Sequence, residues 1–145
     1  MSKVDNFLSK DDETEIVAAI RMAEKETSGE IRIHIERKCP GESFERAKAV
    51  FHLLKMDETD LKNGVLIYLA VDDHEFVICG DKGIDDVVGH DFWNTTKDIM
   101  ASFFREGKFK EGLIAGIKMA GEQLQLFFPC KHDDQDELDN EISNG

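Results

Sequence analysis

NGVLIYLAVDDHEFVICGDKGI, residues 63–84, carries the strongest structural signal in this chain. An apolar run, 65–71, ends at two aspartates, and a second apolar run, 76–79, ends at a Gly-Asp-Lys-Gly turn, 80–83. The first run is too short to span a membrane and too continuous for a half-exposed strand. It therefore predicts a central strand buried on both faces, as in an α/β sheet. The short polar link 72–75 predicts that the second strand returns antiparallel.

The residues on either side of this stretch alternate between strand and helix patterns. The segment 31–36, IRIHIE, alternates strictly between apolar and polar residues and predicts a strand. A helix is predicted over 43–54 with Ser43 as its N-cap, so that strand, helix and strand form a βαβ unit. Three further helices are predicted, over 10–27 with Ser9 as N-cap, 90–104 and 108–128. The fold class is therefore α/β, with a central mixed sheet.

The composition indicates one acidic domain. A chain of 145 residues has room for one core, and 31 acidic against 18 basic residues give a net charge of −13. Such a charge argues against nucleic acid or an anionic membrane as partner, because phosphates would be repelled. It is compatible with cation binding, or simply with high solubility. We expect residues 1–128 to form the domain and the acidic segment 129–145 to be a mobile or loosely docked tail.

The cysteines and the first residues bear on location. Three cysteines cannot all pair, and their spacing does not resemble a disulfide framework. Cys79 lies in an apolar strand, where it is expected to act as a small hydrophobic residue. The first fifteen residues contain no apolar signal segment. These features predict a reducing, cytoplasmic location.

The pair Asp72 and Asp73 follows the buried strand directly. An acid in that position is typical of phosphatases that use an aspartyl-phosphate nucleophile, but those require the pattern Asp-x-Asp. His74 stands where the second acid should be. A tight hairpin turn is therefore the favoured interpretation, since Asp is a preferred turn residue.

The direction of the strands divides the acidic residues into two groups. Asp81 must return to the sheet edge at which Glu30 begins, and Asp85 lies close behind it in the sequence. Four further acids are expected at the same edge: Asp86 and the loop residues Asp57, Glu58 and Asp60. The Asp72-Asp73 turn lies at the opposite edge, about 20 Å away at about 3.3 Å per residue. The denser group is the better candidate for a hard cation such as Ca²⁺, which takes oxygen ligands.

Other signatures of binding or catalysis do not match. No EF-hand spacing is present, so a calcium site would be assembled from several loops. The five histidines are scattered, which argues against zinc, and no nucleophile motif is found. Gly80 and Gly83 bracket a charged pair, which predicts positive φ angles and a tight backbone path. Trp93 and the phenylalanines are expected in the core.

Four segments in this order resemble the TPM domain family: Ser28-Gly29-Glu30-Ile31, the run from Asn63 through Asp72-Asp73, the Gly80–Gly83 loop with Ile84, and FREGKFKEGL at 104–113. The family includes a thylakoid acid phosphatase, a photosystem II repair factor and a receptor modulator. The likeness is greatest to its small soluble bacterial members of the Bacteroidetes type. It implies a three-layer α/β/α sandwich with a Rossmann-like βαβ core and about four helices.

The resemblance also implies a divalent-metal site, calcium in some members, and weak phosphatase activity. Three functions stay open: a calcium-binding domain that modulates a protein partner, a metal-assisted acid phosphatase, and a structural interaction module without metal. No catalytic residue is assigned. The predicted metal ligands, taken from both edges, are Asp81, Glu30, Asp85, Asp72 and Asp73.

Overall fold

A computed structural model describes residues 8–89 and 91–129, together with the backbone of 143–144. It contains a four-stranded sheet of order β3-β2-β1-β4. β1 is parallel to β2 and to β4, whereas β3 is antiparallel to β2, so the predicted mixed sheet is confirmed. The strands are β1 (Glu30–Glu36), β2 (Gly64–Ala70), β3 (Glu75–Gly80) and β4 (Ser143–Asn144).

Helices cover both faces of the sheet. The described helices are α1 (Lys10–Glu24), α2 (Ser43–Leu53), α3 (Lys82–Asp85), α4 (Asn94–Arg105) and α5 (Phe109–Phe127), with a 3-10 turn at Met56–Glu58. Side chains of α1, α4 and α5 form one core with one face of the sheet. The second core is formed by α2 and the opposite face. The predicted three-layer sandwich is thus confirmed, and α3 is a single turn beyond the four helices expected.

The central strand is β2, as the apolar run predicts. All seven of its residues are buried. Val65, Ile67 and Leu69 belong to the core under α1, α4 and α5, while the residues between them face α2. Because each buried aliphatic side chain contributes about 1.5–3 kcal/mol, this strand supplies a large share of the stabilisation. None of the helices in the described part of the chain is both long and apolar enough to cross a bilayer.

The first turns of two helices differ in what caps them. Ser9 caps α1 as predicted, in a capping box in which its hydroxyl accepts from the N–H of Asp12 at 3.0 Å. The prediction of Ser43 as the cap of α2 is wrong, since the carboxylate of Glu42 accepts from Phe44 N at 2.6 Å. The longer Glu side chain reaches these amides, and Ser43 becomes the first helical residue.

The glycines of the 80–83 turn matter because they leave room for close packing, and not because they adopt positive φ angles. The predicted positive φ is wrong, because the described glycines with positive φ are Gly41 and Gly107. A Cβ on Gly83 would lie 2.2 Å from the carbonyl oxygen of Leu61 and 2.5 Å from that of Lys62. The predicted tight path is present, and glycine is required there because the start of α3 packs onto the backbone.

The end of the domain touches its beginning. Thr27 and Pro129 form an isolated antiparallel bridge, next to the predicted boundary at 128. Most of the predicted tail, 130–142 and 145, lies outside the described residues. The backbone of 143–144 forms β4 beside His34 and Ile35 of β1.

Candidate functional site

The loops that follow β1 and β2 meet at the carboxyl edge of the parallel strands. The N–H of Val71 donates to Glu36 O at 3.0 Å, and the N–H of Asp72 donates to Arg37 O at 2.7 Å. These bonds extend the parallel pairing beyond the strands and hold the two loops together. Ligands of open α/β sheets bind at this edge, where loops diverge from the strand ends.

A cleft of ≈ 660 Å³ opens between these loops. We call it the carboxyl-edge cleft, and its lining residues are Glu36, Arg37, Lys38, Cys39, Pro40, Arg46 and Asp72. It contains two carboxylates, three basic groups and a thiol. Of these, the sequence reasoning had selected only Asp72 as a site residue.

The two aspartates of the hairpin are placed differently. Asp73 Oδ2 accepts from the N–H of Cys39 at 2.6 Å, so this carboxylate ties the hairpin to the 37–39 loop. Asp72 is exposed, and its Oδ2 lies 3.9 Å from Arg37 Nε. The hairpin-turn role is therefore confirmed, and Asp72 keeps a carboxylate at the mouth of the cleft.

Glu36 forms the buried floor of the cleft. Arg46 donates to both of its oxygens, from Nε to Oε2 at 2.9 Å and from Nη2 to Oε1 at 2.8 Å. The Tyr68 hydroxyl donates to Oε2, and His34 Nε2 lies 3.1 Å from Oε1. Burial alone would raise the pKa of Glu36, but these hydrogen bonds outweigh it and lower the pKa to about 2. Glu36 is therefore a fixed carboxylate.

Burial also shifts the pKa values of two partners of Glu36. Burial lowers the pKa of His34 in spite of the nearby carboxylate, so the neutral ring donates its Nε2–H. Burial and the bond to Glu36 raise the pKa of Tyr68. The network is structural, and sequence reasoning missed it because the alternation in β1 shows which residues share a face but not what packs against that face. The hydroxyl of Tyr68 within an otherwise apolar run was the available signal.

The cleft also has exposed positive charge. Arg37 and Lys38 are exposed at its rim, whereas Arg46 is engaged with Glu36. An arginine fork and a lysine ammonium are the groups that recognise phosphate oxygens. Positive charge beside Asp72 makes this a site of mixed sign.

The opposite, amino edge holds the other predicted ligands. Asp81 caps α3, and its Oδ1 accepts from the N–H of Lys82 at 2.7 Å. Its Oδ2 is buried without a hydrogen-bond partner in the part of the chain that the structure describes. Burial, and then the charges of Asp81 and Asp86, raise the pKa of Asp85. Asp81 and Asp85 are thus brought close together by one helical turn.

Glu30 lies further along this edge. It is 3% exposed and pairs in register with Gly64, whose carbonyl accepts from the N–H of Asp81 at 2.9 Å. Two strand spacings, about 10 Å, therefore separate the backbones of Glu30 and Asp81. Asp57 of the preceding loop pairs with His52 at 2.8 Å. Across residues 8–89 and 91–129, no group of three or more His, Cys, Asp or Glu side chains is placed to hold a metal ion.

These features define a small three-layer α/β/α domain with a mixed-charge cleft at the carboxyl edge of its parallel strands. The chain belongs to the TPM domain family, whose model matches residues 2–123. The resemblance found in the sequence is thereby confirmed.

Two solved structures are similar to this chain. The NMR structure of BA42 protein from the psychrophilic bacterium Bizionia argentinensis shares 56% identity, with a TM-score of 0.92, and each chain covers 100% of the other. The solution structure of the N-terminal domain of a P. gingivalis protein has a TM-score of 0.68 at 19% identity, over 87% of this chain and 83% of that one. The second likeness shows the fold alone. A comparison with curated proteins found no match.

Proposed function

We propose that the carboxyl-edge cleft binds a phosphorylated small molecule together with a divalent cation. One observation carries this proposal: the carboxylate of Asp72 and the positive groups of Arg37 and Lys38 line the same cleft of ≈ 660 Å³. Carboxylate oxygens bind hard cations, and Arg and Lys bind phosphate oxygens. A ligand that carries a phosphate and its bound cation satisfies both kinds of group at once.

The number of carboxylates decides which cation fits. Calcium takes six to eight oxygen ligands, whereas the carboxylates that the described residues offer at this edge are Asp72, Asp73 and Glu36. Asp73 Oδ2 accepts from Cys39 N–H, and both oxygens of Glu36 accept from Arg46. The side chains at this edge therefore do not complete a calcium site. A magnesium-type cation is commonly held by one or two carboxylates, with phosphate oxygens and water as the other ligands. That description fits this cleft.

A titration followed by amide NMR tests the proposal. Inorganic phosphate is added with and without Mg²⁺, and we expect the amides of 37–40 and 72–73 to shift further when both are present. Asp72→Asn should abolish the Mg²⁺ dependence, and Arg37→Gln should weaken phosphate binding in both conditions. Lys118→Gln on α5 is the control, since Lys118 does not line the cleft. Phosphate shifts that are equal with and without Mg²⁺ would contradict joint binding.

Hydrolysis of phosphomonoesters is a second candidate, and the family model's name, TPM phosphatase, favours it. In such a reaction a water oxygen bonds to phosphorus, the ester P–O bond breaks, and the leaving oxygen takes a proton. A bound cation would neutralise phosphoryl charge. Turnover of p-nitrophenyl phosphate that is lost with EDTA and in Asp72→Asn would support this function. Turnover that is indifferent to both would refute it.

Calcium binding at the amino edge is the third candidate. The Oδ2 of Asp81, which has no hydrogen-bond partner among the described residues, and the raised pKa of Asp85 favour a cation there. Calcium titration should then shift the amides of 81–86, and Asp81→Asn should abolish those shifts while Asp72→Asn leaves them unchanged. The reverse pattern would assign calcium to the carboxyl edge. If both variants kept the calcium-induced shifts, neither aspartate would be a ligand.

A further inference from the structure

We propose that the outer edge of β3, which pairs with no strand among the described residues, binds an extended peptide that adds to the sheet as a fifth strand. This peptide is apolar along its length and basic at its N-terminus. This inference is independent of the carboxyl-edge cleft. It rests on the hydrogen-bond phase of β3, on a groove along that strand, and on the charge at one end of the groove.

Three residues of β3 direct their backbone hydrogen-bonding groups away from β2. β3 is an outer strand of the described sheet and pairs with β2. The N–H of Asp81 donates to Gly64 O, which makes this a hydrogen-bonded pair of the antiparallel ladder. Since such pairs alternate, Cys79 and Val77 also bond to β2, while Phe76, Ile78 and Gly80 direct their N–H and C=O groups away from it. An outward row of this kind is a template for strand addition.

A groove of ≈ 580 Å³ follows this edge. Residues 76–80 form its floor, and the walls come from both layers of the sandwich. Phe44 of α2 stands on one side and is 43% exposed. Val88, Gly89 and Trp93 stand on the other side, with Lys97 one turn further along α4. Apolar walls on both sides suit a strand whose alternate side chains point up and down.

The shape of the groove favours a peptide over a second copy of the chain. Side chains from both layers wall the groove beside β3, and the same walls of another copy would face them. Two chains of net charge −13 also repel each other, which disfavours a second copy at this edge. A single extended segment without walls can enter.

Charge sets the direction of the peptide. Asp85 lines the groove where β3 ends, and Asp81 and Asp86 lie beside it. A peptide antiparallel to β3 begins at this end, so a basic first residue would face Asp85. The net charge of −13 also draws basic segments toward the protein.

The probe is the synthetic peptide acetyl-Lys-Val-Ala-Val-Ala-Val-amide, titrated into the full chain and followed by amide NMR and hydrogen exchange. We expect protection of the amides of Phe76, Ile78 and Gly80 to rise, while those of Val77 and Cys79, already bonded to β2, change little. A peptide with proline at the central valine should not bind. Replacing its lysine by glutamate should weaken binding about two- to fivefold, as for an exposed ion pair.

Asp85→Asn should weaken binding of the lysine peptide by a similar factor. Asp98→Asn removes the same charge from an exposed position of α4. Because Asp98 does not line the groove, this change should leave binding unchanged. Three results would overturn the proposal: no response at the highest soluble peptide concentration, a response without alternation along β3, or a response in the proline peptide. Protection of the same amides on concentrating the protein alone, with dimers seen by light scattering, would assign the edge to a second copy.

Discussion

Glu36 and Arg46 are joined by two charge-assisted hydrogen bonds, of 2.9 Å and 2.8 Å, at the buried end of β1. The pair connects the sheet to α2 beneath the carboxyl-edge cleft. Because the carboxylate is buried, its charge is tolerated only while its partners are present. The stability of this edge therefore depends on residues that the sequence did not mark as a group.

Arg46→Met should destabilise the protein by about 2–3 kcal/mol, since it leaves the buried Glu36 carboxylate without its counter-charge. The expected cost is below that of a fully buried pair because the Arg46 side chain is 25% exposed. Urea denaturation measures the change. The double variant with Glu36→Gln should recover part of the loss.

Lys48→Met on the same helix is the control for Arg46→Met. Lys48 pairs with Glu45 at 3.5 Å, and both side chains are more than half exposed. Such a pair contributes about 0–1 kcal/mol. Equal losses in Arg46→Met and Lys48→Met would contradict a special role for the Glu36 pair.

Acid should unfold the protein through Glu36. Its pKa is about 2 when folded, against an ordinary value of 4.5, so the unfolded chain binds the proton first. The contribution is fully present above pH 4.5 and falls by on the order of 3 kcal/mol as the pH drops toward 2. His34 acts in the same direction from pH 6.5 downward, because burial lowers its pKa.

Urea midpoints at pH 7 and pH 3 measure this acid sensitivity. Glu36→Gln should lower the midpoint at pH 7 and should also flatten its dependence on pH. Glu45→Gln, at an exposed position of α2, is the matched control. If the urea midpoint of Glu36→Gln depended on pH as steeply as that of the unsubstituted protein, other carboxylates would dominate acid unfolding.

Gly83→Ala should destabilise the protein by about 1–3 kcal/mol, as overpacking does. The new methyl group would meet two backbone carbonyl oxygens, of Leu61 and Lys62, which cannot rotate away as a side chain would. Gly89→Ala is the control, because a Cβ there meets no atom within 4 Å. Thermal unfolding of the two variants checks the difference, and equal melting temperatures would count against the packing explanation.

Ser9→Ala should cost about 1 kcal/mol, since it removes the hydroxyl that accepts from the N–H of Asp12. Ser43→Ala should cost little, because Glu42 and not Ser43 caps α2. The two variants make the same chemical change at the start of two helices. If Ser43→Ala proved the more costly, the assignment of the cap to Glu42 would be wrong.

The described thiols should differ in reactivity. Cys79 is buried, and burial raises its pKa to about 11, so about one thousandth is thiolate at about pH 8. Cys39 is half-buried and lines the carboxyl-edge cleft. In a Cys130→Ser background, iodoacetamide should label Cys39 in the folded protein and Cys79 only after unfolding. Equal labelling rates without denaturant would contradict this.

Local sequence patterns predicted the elements but not the side-chain network. The continuous apolar run of β2 and the polar link after it predicted both the buried strand and the antiparallel return, which the structure confirms. The acids were correctly divided between two edges by chain direction alone. Which of them bind a cation stays a prediction, as does a cytoplasmic location.

The network around Glu36 could not be predicted because its members are distant in sequence. Tyr68 is 32 residues and Arg46 10 residues from Glu36. The alternation in β1 predicted a polar face but not what covers it, and in the structure α2 covers that face and buries His34 and Glu36. These polar residues form the hydrogen-bonded floor of the cleft only because α2 packs against them.

Periodicity and strand length depend on neighbouring residues, so the amino-acid order was sufficient to predict the α/β class, the strand directions and the two acidic edges, while the three layers were implied by the family resemblance. Burial, hydrogen-bond partners and pKa values depend on which distant segments meet in space. The cleft that joins Asp72 to Arg37, and the groove beside β3, exist only where loops and helices from separate parts of the chain come together.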